Sequence, residues 1–375
     1  MTDIVIAAYR RSPFHFAAKG RLARVRPDDL AAQVVKALVA ETGIDAEGIE
    51  DVIVGCAFPE GEQGMNVARL ISFIAGLPRA AGAVTVNRFC GSSMQAIHQA
   101  AGAIALGAGE VFLCAGVESM SRVPMLGYNP MPNPALARDY PQAYIAMGDT
   151  AENVALRYDV SRADQEAFAV ESHHRAAVAR AAGRLRDEIV PIGDVAEDGC
   201  IRPDTSAERL ATLKPAFRLD GTVTAGTSSP LTDGAAAVLV CSADFARANR
   251  LQPLARIRSI AVAGCLPEVM GMGPVGATRK ALARAGITAA DLDVVEINEA
   301  FASQAIACMR ELGLDPARSN IDGGGIAIGH PLGATGARIT GKAASLLRRV
   351  GGRYALATQC IGGGQGIATV LEAVQ

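Results

Sequence analysis

The sequence predicts an α/β protein made of two copies of one unit with a long insertion between them. Three observations carry that reading. Strand-like and helix-like runs alternate along both ends of the chain. The second half replays the first: Asp51 and Asp293 stand about 242 positions apart, and Cys90 and His330 about 240. Residues 119–232 have no counterpart in the second copy.

The elements follow in order. DIVIAA (3–8) is a first strand, and 28–41 is an amphipathic helix whose acidic start suits a helix N-terminus. GIDAEGIEDVIVGCA gives a turn and an apolar strand near 51–56. Residues 66–77 form a helix, AVTVN a strand, 92–107 a helix and EVFLCAG (110–116) a strand. This alternation predicts a mostly parallel sheet covered on both faces. In the second half, 255–264 is a strand and 276–286 a helix. ITAADLDVVEI then answers IDAEGIEDVIV, and helices 299–312 and 334–350 lead to strand 353–359, which answers EVFLCAG. GAAAVLVCS (234–242) and GIATVLEA (366–373) close the two units. The division is therefore 1–118 plus 233–252 for the first half, 119–232 for the inserted loop domain, and 253–375 for the second half. A pseudo-two-fold axis between the halves would bring the Cys90 and His330 helix starts together.

Composition narrows the function. Half of the 375 residues are apolar, with few aromatics and no Trp, which is ample for a large core. The net charge of −2 gives no reason to expect nucleic acid or an anionic membrane as partner. MTDIVIAAYR reads as a strand rather than a signal peptide, LEAVQ carries no retention signal, and no apolar run reaches membrane-span length. The eight cysteines make no CxxC pair and no zinc pattern, so they read as reduced cytoplasmic thiols and no metal is expected.

Four loops carry chemistry. In VNRFCGSSMQAI (86–97), Cys90 stands at the mouth of a helix, where the N-terminus favours a thiolate; it also reads as a small buried hydrophobe. In Gly329-His330-Pro331 the proline holds His330 in extended backbone ahead of a helix. Cys360 comes off a strand end, where open α/β sheets bind ligands, and precedes IGGGQG, whose glycines could expose N–H groups. Asn298-Glu299-Ala300-Phe301 lies between a strand and a helix, where Asn298 also reads as an N-cap. A dinucleotide fingerprint fails at 323–329 and 362–366 on spacing. Taken together, a Cys/His pairing is the pattern of an activated nucleophile, and a second Cys can serve as acid and base.

VNRFCGSSMQAI, NEAF, GGGIAIGHPLGATGAR and CIGGGQGIATV resemble the four signature blocks of the thiolases, in the same order, and the likeness extends through MGDTAEN and TVTAGTSSPLTDGAAA over essentially the whole chain. CGSSMQ and MGMGPV look most like the degradative 3-ketoacyl-CoA thiolases; biosynthetic acetoacetyl-CoA thiolases more often carry CGSGL. The resemblance implies a five-layer αβαβα core. It implies Cys90 as nucleophile and His330 with an Asn298-held water as a first oxyanion hole. It makes Cys360 the acid/base, and the N–H groups of Cys90 and Gly362 a second oxyanion hole. Ser229 and Arg202 would contact coenzyme A, and Met147 and Phe301 would line the acyl pocket. Plain alternatives remain: Arg202 as a solvated charge, Ser229 as a turn residue, Met147 and Phe301 as core, Glu299 as helix N-terminal charge. Coenzyme A would be a substrate, with no further cofactor. A homodimer or homotetramer is implied, and some relatives have a β-oxidation partner subunit. Pro230 and the segment 11–20 depart from the family's pattern. A decarboxylating ketosynthase would lack the CIGGGQG block, and a non-catalytic acyl-CoA-binding relative would lose one of Cys90, His330 or Cys360.

Overall fold

The computed structural model describes residues 3–374. The first half contains β1 (Ile4–Arg11), β2 (His15–Phe16), α1 (Pro27–Thr42), β3 (Asp51–Gly55), α2 (Val67–Ile74), β4 (Gly82–Val86), α3 (Ser92–Ala105) and β5 (Val111–Ser119). The insertion carries α4 (Met147–Arg157) and α5 (Arg162–Ala181), and β6 (Thr232–Ser242) completes the unit. The second half contains β7 (Ala255–Gly264), α6 (Gly273–Ala285), β8 (Val294–Ile297), α7 (Ala302–Leu312), α8 (Leu332–Val350), β9 (Tyr354–Ile361) and β10 (Gln365–Glu372).

The strands run in the order β4-β3-β5-β6-β1-β7-β10-β9-β8. The duplication is visible in it: β3-β5-β6-β1 corresponds to β8-β9-β10-β7 read from the other edge. The counterpart of β4 shrinks to one bridge between Val295 and Ser319. Among the described residues the two half-sheets pair at two positions, Val5 with Arg256 and Ile6 with Ala255. The expected mostly parallel sheet is corrected. Only β3–β4, β3–β5 and β8–β9 are parallel, because β6 and β10 return antiparallel between their neighbours. Helical crossovers force parallel pairing only for the strands they join directly.

The layers follow from where apolar side chains can go. α1 and α2 cover one face of the first half-sheet, and α6 and α7 one face of the second. α3 and α8 fill the middle, packed between both sheets. A helix covered on all sides must be narrow, and these two are rich in Ala, Gly and Ser. Ala337 N–H donates to Ser93 Oγ at 2.8 Å, and a Cβ at Gly336 would stand 2.3 Å from Met94 N. The result is the five-layer αβαβα arrangement that the resemblance implied.

α8 also buries charge. Arg338 pairs with Glu296 at 3.0 Å, and Lys342 with Glu188 and Asp322, each at 2.9 Å. Arg11 pairs with Asp198 at 2.6 Å and with Glu188 at 2.8 Å. Glu188 and Asp198 belong to the insertion, so this network fastens it to β1 and to α8.

Candidate active site

Cys90 is placed by a tight loop between β4 and α3. Phe89 takes a left-handed φ of 42°, and Ser92 Oγ closes the loop by accepting from Arg88 N–H and donating to Phe89 O. Gly91 allows a close approach there: a Cβ would stand 2.6 Å from the Cδ1 tip of Ile361 on β9. That approach lays the loop on the strand carrying Cys360, and Gln359 Nε2 donates to Cys90 O at 2.6 Å. The backbone N–H groups of Gly362 and of Cys90 itself lie beside the Cys90 thiol and favour its charged form. Burial nevertheless pushes it up to about 11. This corrects the thiolate expected from the helix start alone: desolvation outweighs the two amides.

His330 ends a short turn (Gly325–Ile328) and sits just ahead of α8. Its N–H donates to Thr232 Oγ1 at 3.1 Å. Its Nδ1 lies 2.6 Å from Thr335 Oγ1, whose own hydroxyl donates to Pro331 O at 3.0 Å. With that proton committed, Nδ1 must be the donor, and Nε2 keeps its lone pair. Burial first, and the nearby Arg338 second, push the imidazole down to about 3. At neutral pH the site therefore holds a neutral thiol and a neutral imidazole.

Asn298 lies four residues ahead of α7 and is not its cap, which corrects that alternative. Its Nδ2 is 3.3 Å from His330 Nε2, and its buried Oδ1 has no protein partner. An orphaned buried acceptor of this kind is where an ordered water is expected. Glu299 is not a solvated helix-start charge either. It is 1% exposed and accepts from Ser172 Oγ and Asn320 Nδ2, both at 2.7 Å, and from Ile326 N–H at 3.1 Å. It thereby shapes the turn ahead of His330.

Cys360 lies within β9 rather than beyond it, fully buried, with burial and the neighbouring Cys90 raising its thiol. Ala151, Val223, Met270, Ala300 and Phe301 pack around it, with Met147 at the margin. A Cβ at Gly362 would reach Met147 Sδ at 3.5 Å and Phe89 at 3.7 Å. Cys90, Cys360, Gly362, Met147 and Phe301 are thus brought together, and Asn298 is held against His330. Ser229 N–H donates to Ala300 O at 3.0 Å, tying its loop to the NEAF segment. Arg202 is exposed, its guanidinium 5.0 Å over the Phe16 ring. Phe16 belongs to the unusual 11–20 segment, to which the sequence assigned no role. Thr335, Thr232 and Gln359 were also not singled out; Thr335, five residues after His330 on the next helix turn, was open to that inference.

Family models for the thiolase N-terminal domain and the thiolase C-terminal domain match residues 4–244 and 251–373. A 3-ketoacyl-CoA thiolase of Bacillus subtilis is 49% identical, covering 99% of this chain and 100% of its own length. The crystal structure of human mitochondrial 3-ketoacyl-CoA thiolase superposes with a TM-score of 0.92 at 38% identity, covering 100% of this chain and 99% of that one. The Bacillus anthracis acetyl-CoA acetyltransferase also matches at 0.92, with 39% identity and the same coverage. The chain therefore belongs to the thiolase family and is an acyltransferase enzyme.

Proposed function

We propose that the protein cleaves 3-ketoacyl-CoA with coenzyme A, giving acetyl-CoA and a shortened acyl-CoA, in fatty-acid β-oxidation. The observation that carries this is the convergence of the Gly362 and Cys90 N–H groups on the Cys90 thiol, beside Cys360. In this reading those amides receive the oxygen of a tetrahedral intermediate on Cys90.

The Cys90 proton passes to the His330 Nε2 lone pair as the sulfur bonds to the 3-keto carbon. The bond between C2 and C3 breaks, and its electrons move into an acetyl-CoA enolate. His330, now carrying that proton on Nε2, donates to the enolate oxygen together with a water on Asn298. Cys360 protonates the enolate carbon. An incoming coenzyme A gives its thiol proton to Cys360, and its sulfur attacks the acyl-Cys90 thioester. Cys90 leaves and recovers its proton from His330. Glu299 positions the turn that holds His330. Two neutral partners suit this sequence, because the charges appear only when an acyl group is present to be stabilised.

Ser229 and Arg202 are proposed contacts for coenzyme A, supported by a human relative crystallised in complex with CoA. Met147 and Phe301 line the acyl pocket. The insertion 119–232 forms the CoA-binding part, 1–118 plus 233–252 the first catalytic half and 253–375 the second. We assign a homodimer or homotetramer in the cytoplasm; no helix among the described residues is long and apolar enough to cross a membrane. The second reading, condensation of two acetyl-CoA, is supported by the acetyltransferase relative.

The test is CoA-dependent cleavage of acetoacetyl-CoA and of a long-chain 3-ketoacyl-CoA, with Cys90→Ser as control. Higher kcat/KM on the long substrate, lost in the variant, supports the β-oxidation reading. Activity confined to acetoacetyl-CoA supports the second, and no turnover of either refutes both.

A further inference from the structure

Glu118, at the end of β5, is a fully buried carboxylate with no cationic partner among the described residues. Every group it touches is a donor. Oε2 accepts from Ala57 N–H at 2.8 Å and Gly333 N–H at 2.9 Å. Oε1 accepts from Gln63 Nε2 at 2.8 Å and Phe58 N–H at 3.3 Å, with the Cys56 thiol at 3.7 Å. Burial raises its pKa and these donors oppose the rise. All five of its hydrogen-bond partners donate to it, an arrangement that favours the charged form against the pull of burial.

The donors come from both catalytic loops. Gly333 lies in the first turn of α8, three residues after His330 and in the turn that also holds Thr335. A negative charge suits that helix start. Ala57 and Phe58 support the nucleophile. Ala57 O accepts from Asn87 Nδ2 at 3.0 Å, and Asn87 Oδ1 accepts from Phe89 N–H at 2.8 Å. Phe89 is the residue with left-handed backbone just before Cys90. The Phe58 and Phe89 rings lie 6.0 Å apart, and Cys90 packs on the Ala57–Leu332 cluster.

We propose that Glu118 is a positioning residue for acyl transfer: its carboxylate clamps the α8 start that follows His330 to the 56–58 segment on which the Cys90 loop is built. The inference rests on the thiolytic reading of the site. Two donors on Oε2 and three on Oε1 explain why a carboxylate is used. An amide at this position would turn its NH2 against donors.

The clamp also carries charge toward Cys90. Burial is the main reason that thiol is raised, and Glu118 adds to it. Other titratable groups around the thiol are Cys360 from β9 and His330 from the turn ahead of α8, both neutral at pH 7. On the Cys90 loop, Arg88 turns its guanidinium to Gln95 at 3.0 Å and Gln365 at 2.8 Å.

The experiment compares the full-length enzyme with Glu118→Gln and Asn87→Ser. It reads kcat and KM for acetoacetyl-CoA thiolysis, the pH profile of Cys90 alkylation by iodoacetamide, and the melting temperature. Glu118→Gln is expected to lower kcat on the order of 10²-fold, the cost of a misplaced reacting group, and to move the alkylation profile to lower pH. Asn87→Ser cuts the link while keeping the charge, so kcat falls and the profile stays. A folded Glu118→Gln enzyme with wild-type kcat overturns the proposal. So does a fall in kcat and melting temperature with an unmoved profile, which marks a structural role only. If Glu118→Gln does not fold, Asn87→Ser decides, and wild-type kcat there overturns the clamp. Absence of thiolysis in the wild-type enzyme would instead refute the functional reading, while the alkylation profiles would still report on the clamp.

Discussion

Gly362 and Gly366 stand four residues apart in one loop-and-strand segment, and alanine at each should fail in opposite ways. At Gly366 a Cβ would lie 2.0 Å from the carbonyl carbon and oxygen of Gly273, backbone at the start of α6 that cannot rotate aside. Overpacking of that kind costs about 1–3 kcal/mol or more. At Gly362 the same methyl meets Met147 and Phe89 at ordinary contact distance, 3.5 and 3.7 Å. Its φ lies outside the left-handed range, so alanine fits and reduces unfolded-state entropy, worth about 0.4–1 kcal/mol of stability. The methyl occupies space between Met147 and Phe89 that an acyl chain would use. One methyl group in an apolar pocket discriminates by about 1–3 kcal/mol, or roughly 10–200-fold in kcat/KM. Gly362→Ala should therefore keep or raise the urea midpoint and lose kcat/KM on a long-chain 3-ketoacyl-CoA far more than on acetoacetyl-CoA. Gly366→Ala should lower the midpoint. An unchanged ratio between the two substrates in Gly362→Ala would refute the acyl-pocket geometry. A wild-type midpoint in Gly366→Ala would refute the packing argument.

Other perturbations have defined outcomes. Thr335→Val removes the acceptor for His330 Nδ1 and leaves that buried donor unpaired, a cost of about 1–3 kcal/mol; thiolysis kinetics should show kcat lowered roughly 10–100-fold. Arg338→Met leaves Glu296 buried without its partner, and urea unfolding should show a loss of about 3–5 kcal/mol. Burial by itself would raise the Asp322 carboxyl, but Arg349 and Lys342 overcome that and hold it well below the ordinary carboxylate range. A depressed acid stabilises the fold above its unfolded value near pH 4 and loses that contribution as pH falls below it. Stability measured from pH 7 to 3 should therefore fall less in Asp322→Asn than in the wild type.

The duplication was legible because both copies keep their apolar strands and their loop positions. The reading of 119–232 as an insertion rests on nothing in the second copy answering it. Sheet direction was not: β6 and β10 read as strands like any other, and nothing in GAAAVLVCS says that it runs antiparallel to its neighbours. The site's membership was readable from the four loops, because cysteine, histidine and asparagine are conspicuous at strand-to-helix junctions. Their protonation was not. A helix start can be read from sequence, while the desolvation that overrides it depends on β9 closing over Cys90. Glu118 escaped for the same reason: inside an apolar strand it reads as one polar residue, and its five donors come from three separate segments.

The raised Cys90 thiol has a consequence for survival as well as for catalysis. Peroxide attacks thiolates, and the damage that follows runs through sulfenic to irreversible sulfinic and sulfonic acids. A nucleophile that keeps its proton until an acyl chain arrives presents little thiolate to that attack. Cys90 is only partly covered, so at rest it is the retained proton that guards the sulfur from oxidants.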